Sequence, residues 1–192
     1  LIVTTADTSA VSETVSLPIR HRMHVVLGQA DPFASDLDMS QLDGSNGFSI
    51  QMDTDSILRS FYASSPGDIN GDGFEDVLFR GRLQSPDDFA ASRDGAAVAY
   101  LLFGRSAETF QSFTLDDFDQ SPGVRIDAGD YLSLSSLKKR DTERLDMNGD
   151  GLDDLVLHAW RYDEVDYSRT RVDHEFVVFG REDWPERIEV TQ

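Results

Sequence analysis

Two segments rich in Asp, Asn and Gly carry side chains that could do chemistry. Residues 68–76 read Asp-Ile-Asn-Gly-Asp-Gly-Phe-Glu-Asp, and residues 146–154 read Asp-Met-Asn-Gly-Asp-Gly-Leu-Asp-Asp. Both segments place a carboxylate or amide oxygen on alternate residues, and the glycines between them let the backbone turn tightly. Calcium is a hard cation that takes oxygen ligands of this kind. The pattern therefore predicts two calcium sites.

Each site is predicted to use side-chain oxygens at the first, third, fifth and ninth positions and the main-chain carbonyl at the seventh. The predicted ligands are Asp68, Asn70, Asp72, Phe74 and Asp76 in one site, and Asp146, Asn148, Asp150, Leu152 and Asp154 in the other. Carboxylates packed this closely would repel one another without a cation. A hairpin turn that holds no metal is the alternative interpretation of such a composition.

Residues further along each segment separate the pattern from other calcium-binding loops. An EF-hand needs a Glu at its twelfth position and a helix on each side. The twelfth residues here are Phe79 and Leu157, and both lie in apolar segments. The sequence therefore argues against an EF-hand and a dockerin loop, and the absence of cysteine argues against thrombospondin-type arrays.

The chain also repeats itself over a longer distance. Three apolar segments end in a glycine, at Gly28, Gly104 and Gly180, and these glycines are 76 residues apart both times. The apolar residues that follow Gly28 recur at the same spacing after Gly104, and Ile188 and Val190 begin the pattern again. Self-similarity at a fixed period is typical of repeat architectures.

Short β-branched or aromatic runs bounded by Gly, Asp, Pro and Ser predict strands. Helical periodicity is weak, and only residues 116–118 and 134–139 are predicted to hold a helical turn. Long charged loops are predicted at 82–95 and 161–173. Three to four strands per repeat predict an all-β fold built from antiparallel blades. The predicted strands are residues 2–4, 24–27, 48–51, 60–63, 77–80, 97–103, 124–127, 156–158 and 175–179.

These motifs together resemble the FG-GAP repeat, which builds the propeller of integrin α subunits and occurs in many bacterial surface proteins. The resemblance is carried by Gly-Asp-Ile-Asn-Gly-Asp-Gly-Phe-Glu-Asp-Val-Leu at 67–78, Leu-Leu-Phe-Gly at 101–104 and Gly-Val-Arg-Ile at 123–126. Residues 42–50 are similar to the bacterial form of the motif, although the Gly-Ala-Pro element has no close counterpart. The resemblance implies four-stranded antiparallel blades, with a structural calcium ion in the loop that joins the first two strands of a blade.

The resemblance covers nearly the whole chain and implies one β-propeller region, 1–192, of about two and a half blades. A partial blade is expected at about 1–52, a full blade at about 53–128 and most of a third at about 129–192. Because a propeller closes with about four to eight blades, we expect a fragment of a larger propeller. The missing blades would come from the same chain or from another one, and association of copies into a ring is the alternative.

Composition narrows the choice of partners. Lys and Arg number 17 against 36 Asp and Glu, so the formal net charge is −19, which disfavours nucleic acid and anionic membranes. The chain contains no cysteine, and no apolar run approaches the ~20 residues of a membrane helix.

Neither a nucleophile elbow nor a phosphate-binding loop occurs in the sequence. The four histidines show no metal-binding spacing, and the expected partners are calcium and an extracellular protein or glycan.

These observations predict a non-catalytic, calcium-stabilised module, secreted or at the cell surface, for adhesion or for protein or glycan recognition. The alternative is an accessory propeller domain of a larger secreted enzyme of the polysaccharide lyase or phospholipase type, with its catalytic residues outside this chain. A third hypothesis is a lectin in which a sugar coordinates the calcium.

Overall fold

The structure is a computed structural model that describes residues 2–7, 11–12, 15–16, 20–29, 36–52, 57–84, 97–106, 110–129, 131, 133–136, 145–165 and 168–190. Within these residues the chain is an all-β protein. Its strands are β1 (Ile2–Asp7), β2 (Val11–Ser12), β3 (Val15–Ser16), β4 (Arg20–Val26), β5 (Gly47–Met52), β6 (Ile57–Ser64), β7 (Val77–Gln84), β8 (Ala97–Leu102), β9 (Phe113–Thr114), β10 (Gly123–Asp127), β11 (Ser133–Ser136), β12 (Leu155–Val165), β13 (Ser168–Val178) and β14 (Arg187–Glu189). Short 3-10 helices occupy Met39–Gln41 and Leu115–Gln120.

The chain divides into two compact units. The first unit contains Leu1–Ser56 and Arg105–Gln120, and the second contains Ile57–Gly104 and Ser121–Gln192. None of the helices in the described residues is long and apolar enough to cross a membrane.

The first unit is built on a four-stranded sheet in the order β1-β4-β5-β9. The first three strands are antiparallel, and the short β9 adds to β5 in parallel, with Ile50 opposite Phe113. Met23, Phe48 and Ile50 are fully buried or nearly so. The ring of Phe48 stacks on Phe110, with ring centroids 4.5 Å apart, so the segment after Gly104 completes the core of this unit.

The second unit contains a five-stranded sheet in the order β14-β10-β8-β7-β6. Four of its strands, β6, β7, β8 and β10, lie side by side, and each is antiparallel to the next. In the sequence, β9 of the first unit lies between β8 and β10. The three-residue β14 then adds to β10 in parallel. Asp127 on β10 accepts from Arg125 at 2.9 Å and from Arg187 on β14 at 2.7 Å, so charge-assisted bonds hold the added strand.

A three-stranded antiparallel sheet, β11-β12-β13, completes the second unit. Buried side chains from both sheets form one hydrophobic core, which includes Leu101 and Ile126 from the larger sheet and Leu134 and Leu157 from the smaller one. Arg80 on β7 also donates from Nε to the carbonyl of Leu134 on β11, at 3.0 Å. The two sheets therefore pack on each other through a shared core and a polar link.

All nine predicted strands coincide with observed strands, although residues 27, 103 and 179 lie just past the observed ends. The helical turn predicted at 116–118 lies in a 3-10 helix. The helical turn predicted at 134–139 is wrong, because residues 133–136 form β11 and pair with β12. Residues 137–139 lie outside the described residues. Sheet pairing and burial of Leu134 override a weak local helical preference there.

The long loop predicted at 161–173 is also wrong. β12 and β13 continue as a hairpin up to the pair Val165 and Ser168, so nearly all of that segment is strand. Its alternating charged and aromatic residues suit a ribbon with two different faces. In the other predicted loop, 82–95, β7 extends to Gln84 and residues 85–95 lie outside the described residues.

Candidate metal centre

The first loop, residues 68–76, is organised around the carboxylate of its first residue. Asp68 Oδ1 accepts from the amides of Gly71 at 2.8 Å and Asp72 at 3.1 Å, and Oδ2 accepts from the amide of Gly73 at 2.9 Å. Gly71 and Gly73 have φ of 76° and 89°, a backbone conformation that strongly favours glycine. The glycines thus allow the chain to circle the Asp68 carboxylate.

The third and fifth residues of the loop bind each other. Asn70 donates from Nδ2 to Asp72 Oδ2 at 2.9 Å and accepts from the amide of Asp72 at 3.3 Å. Asp72 Oδ1 accepts from the amide of Phe74 at 2.9 Å. These local bonds hold the Asp72 carboxylate beside the Asn70 side chain on the more exposed side of the loop.

The ninth residue, Asp76, closes the base of the loop. Its Oδ2 accepts from the amide of Ile69 at 2.7 Å, and its Oδ1 accepts from the amide of Gly104 at 2.8 Å. Asp76 is fully buried, and this burial, with the charges of Asp72 and Asp68, raises its pKa to about 7 although the two amide bonds oppose the shift. A buried carboxylate beside two others is a position at which a cation would be favourable.

Gly104 is the strand-ending glycine of the repeat, and its lack of a side chain is what permits this bond. A Cβ atom built on Gly104 would lie 2.5 Å from the carbonyl oxygen of Glu75 and 2.7 Å from Cβ of Phe74. The Asp-rich loop and the strand-ending glycine, two separate motifs in the sequence, therefore meet in the fold.

The second loop, residues 146–154, repeats this hydrogen-bond network. Asp146 binds three amides, Asn148 and Asp150 bind each other, and Asp154 binds Met147 and the strand-ending Gly180. Asp146 accepts from the amides of Gly149, Asp150 and Gly151 at 2.6, 3.1 and 2.9 Å. Asp150 accepts from Asn148 Nδ2 at 2.8 Å and from the amide of Leu152 at 2.9 Å. Asp154 accepts from the amides of Met147 and Gly180 at 2.7 and 2.9 Å. The two loops, which differ at three of nine positions, thus share one hydrogen-bond pattern.

The two loops also contact each other within the second unit. The amide of Asp68 donates to Asp153 Oδ2 at 2.9 Å, and the amide of Asp153 donates to the carbonyl of Asp68 at 3.2 Å. The amide of Arg181 donates to the carbonyl of Ile69 at 3.1 Å. Asp153 lies within the second predicted loop but is not one of its predicted ligands, and its only sequence signal is that the first loop has an acidic residue, Glu75, at the same position.

The side chains of each loop supply oxygen donors of the kind that calcium prefers. Oδ2 of Asp68 and both oxygens of Asp72 each accept one bond and keep a second lone pair for a cation. A half-turn of the Asn70 amide would present its oxygen in place of its NH2 group. When bound, calcium would neutralise the carboxylates and brace the loop. Within the described residues, no group of three or more His, Asp or Glu side chains forms a cage that could hold a metal ion.

An aromatic cluster lies on the β12–β13 hairpin. The rings of Trp160 and Tyr162 meet edge to face, with centroids 5.4 Å apart. Arg171 lies over the Trp160 ring at 4.9 Å and Arg169 over the Tyr162 ring at 5.4 Å. Asp173 binds Arg171 at 2.6 Å, which fixes that guanidinium over the ring.

Comparison with known proteins gave no match, since no family model, no curated sequence and no solved structure is significantly similar to the chain.

Proposed function

We propose that this chain is a calcium-stabilised, non-catalytic β-propeller module of the FG-GAP type that acts in adhesion or in protein or glycan recognition outside the cell. The observation that carries the proposal is the recurrence of one hydrogen-bond network in two Asp-Asn-Asp loops, each closed by a strand-ending glycine. In each loop, oxygens that prefer hard cations are held together by backbone amides.

The strand order supports the propeller architecture. β6, β7, β8 and β10 form a four-stranded antiparallel meander, which is the form of a propeller blade. β11, β12 and β13 repeat the first three strands of that order, and the two sheets share one core. The loop at 68–76 joins β6 to β7, the first two strands of the proposed blade. Further blades would come from the same chain or from another one.

Calcium would act as a constitutive brace. Extracellular calcium modules bind the ion with a Kd of about 0.1–1 mM. At a calcium concentration ten times the Kd, each ion would add about 1.4 kcal/mol of stability. Two ions would then raise the Tm of the second unit by about 10 °C, taking about 3–5 °C per kcal/mol for a unit of this size.

The test is thermal unfolding in calcium and in excess chelator, for the native chain and for Asp72→Asn and Asp150→Asn. Asp72 and Asp150 each accept one hydrogen bond from a backbone amide and one from an Asn side chain. Asparagine keeps an oxygen for the backbone amide, and a half-turn of the neighbouring Asn side chain presents an oxygen to the new NH2 group, so the main loss is the charge. Each variant is therefore expected to have the same Tm as the native chain in chelator and to lose at least half of the rise in Tm that calcium produces.

The matched control is Asp119→Asn, which removes one exposed carboxylate outside both loops. It should leave the calcium-induced rise unchanged, which separates loss of a ligand from loss of overall negative charge. A native chain whose Tm is the same in calcium and in chelator would refute the calcium sites, and the loops would then be plain turns.

We assign the recognition surface to the aromatic cluster of the β12–β13 hairpin. Tyr162 is 43% exposed, and aromatic and arginine side chains are enriched at binding hot spots. Screening of glycans and matrix proteins should identify a ligand whose binding is weakened at least tenfold by Trp160→Ala. Full binding by that variant would place recognition elsewhere.

A further inference from the structure

The two Asp-rich loops are not equivalent in their surroundings. Ile69 and Met147 occupy the second position of their loops, yet Ile69 is fully buried in the core of the second unit and Met147 is 58% exposed. Asp68 is buried, whereas Asp146 is only half-buried. The first two residues of the first loop are thus covered by their neighbours, whereas the corresponding residues of the second loop are more open.

The cover over the first loop includes the second loop itself. Asp153 binds both backbone groups of Asp68, since its carboxylate accepts from the Asp68 amide at 2.9 Å and its amide donates to the Asp68 carbonyl at 3.2 Å. Leu152 lies against Gly71, where an added Cβ would be 2.5 Å from Leu152 Cδ2. Residues 152 and 153 therefore fix the backbone at the start of the first loop.

The position of Asp153 in its own loop connects it to the second site. Asp153 lies between Leu152 and Asp154, the seventh and ninth residues, both of which are ligands in the proposed second site. An ion that orders those two residues would also order Asp153, because the residue is covalently held between them. Asp68, which Asp153 binds, is in turn the residue that organises the first loop through three backbone amides.

We propose that Asp153 is a positioning residue that builds the first calcium site from the second loop, so that the two sites bind calcium cooperatively. This inference rests on the proposed function, because it requires both loops to bind calcium. Filling either site favours the conformation in which Asp153 and Asp68 are paired, and the coupling is therefore reciprocal. Coupling between sites typically changes affinity about 5–150-fold, and we expect about tenfold here.

The experiment is isothermal titration of the full chain with calcium alone. Asp150→Asn removes the second site and reports the affinity of the first by itself, and Asp72→Asn does the reverse. The coupling factor is the product of the two affinities in the native chain divided by the product of the two single-site affinities. It is expected to be about ten, and a factor of one in a chain that binds two ions would overturn the coupling alone.

Changes at Asp153 then test its role. Asp153→Ala removes the acceptor and should reduce the coupling factor to about one, whereas Asp153→Asn keeps an oxygen for the Asp68 amide and should retain most of the coupling. Coupling that survives in Asp153→Ala would overturn the assignment of Asp153. A native chain that takes up no calcium would overturn the proposed function and this inference with it. The coupling factor of the native chain is measured without any substitution at Asp153, so cooperativity between the two sites is tested even if Asp153→Ala folds poorly.

Discussion

The buried second position of the first loop gives the sharpest test of the packing. Ile69→Ala removes three carbon atoms from a fully buried side chain in the shared core. At about 0.8 kcal/mol per buried carbon, the transfer term is about 2.4 kcal/mol. A cavity term adds to this, and large-to-small changes of this kind cost about 2–5 kcal/mol in total. We expect about 3–4 kcal/mol.

Met147→Ala is the matched control, because Met147 holds the same position in the second loop and is 58% exposed. The same loss of three heavy atoms should cost less than about 1 kcal/mol there, since most of that side chain is already in water. Ile69→Val, which removes one methylene, should fall between the two at about 0.5–1.5 kcal/mol.

The assay is urea unfolding followed by tryptophan fluorescence. Both tryptophans of the chain, Trp160 and Trp184, lie in the second unit, so the signal reports the unit that contains Ile69. Excess chelator in every sample separates packing from calcium binding. Equal destabilisation by Ile69→Ala and Met147→Ala, or a loss below about 1 kcal/mol for Ile69→Ala, would refute the placement of the first loop in the core.

Two further predictions concern the strand-ending glycines and a buried histidine. Gly104→Ala and Gly180→Ala should each destabilise the second unit by about 1–3 kcal/mol in the same urea assay, because the new methyl group meets backbone oxygens 2.5 Å away. Gly28→Ala, with nothing within 4 Å of its Cβ, should change the stability of the first unit by less than about 0.5 kcal/mol, measured by circular dichroism because both tryptophans lie in the second unit. Burial and the charge of Arg22 lower the pKa of His24 below 6.5, so the folded first unit binds fewer protons than the unfolded chain between the two pKa values. The contribution of His24 to stability should therefore be complete above pH 6.5 and be lost as the pH falls through the pKa of the folded state. His24→Gln should remove that part of the pH dependence of Tm. A variant with the same pH profile as the native chain would refute the assignment to His24.

The strands and the loops could be predicted because their signals are local. A short β-branched or aromatic run bounded by Gly, Asp, Pro or Ser indicates a strand wherever it lies, and all nine such segments are strands in the fold. The loop geometry is likewise local, since Asp68 and Asp146 satisfy amides within five residues of themselves. These elements need no information about distant parts of the chain.

The long-range pairings could not be predicted in the same way. β9 and β14 add in parallel to strands of an earlier segment, and each is only two or three residues long. β11 looked helical because its pairing with β12 and the bond from Arg80 to the Leu134 carbonyl are tertiary contacts. The hairpin at 161–173 looked like a loop because charged residues on both faces of a ribbon resemble a solvated connection.

The two loops show why local geometry could be predicted from the sequence and long-range contacts could not. The first, third, fourth, fifth, sixth and ninth residues are identical in the two copies, and apart from the fourth and sixth, which supply glycine turns and amides, their side chains make the internal bonds. The second, seventh and eighth residues differ, and so do their surroundings. Ile69 enters the core whereas Met147 faces solvent, Leu152 lies against Gly71 of the other loop, Glu75 accepts from Ser65 at 2.6 Å and Asp153 binds Asp68. The identical positions therefore specify the loop and its bond to the strand-ending glycine, and the variable positions specify its other neighbours. If calcium binds at the identical positions, the variable positions determine whether the two ions act separately or together.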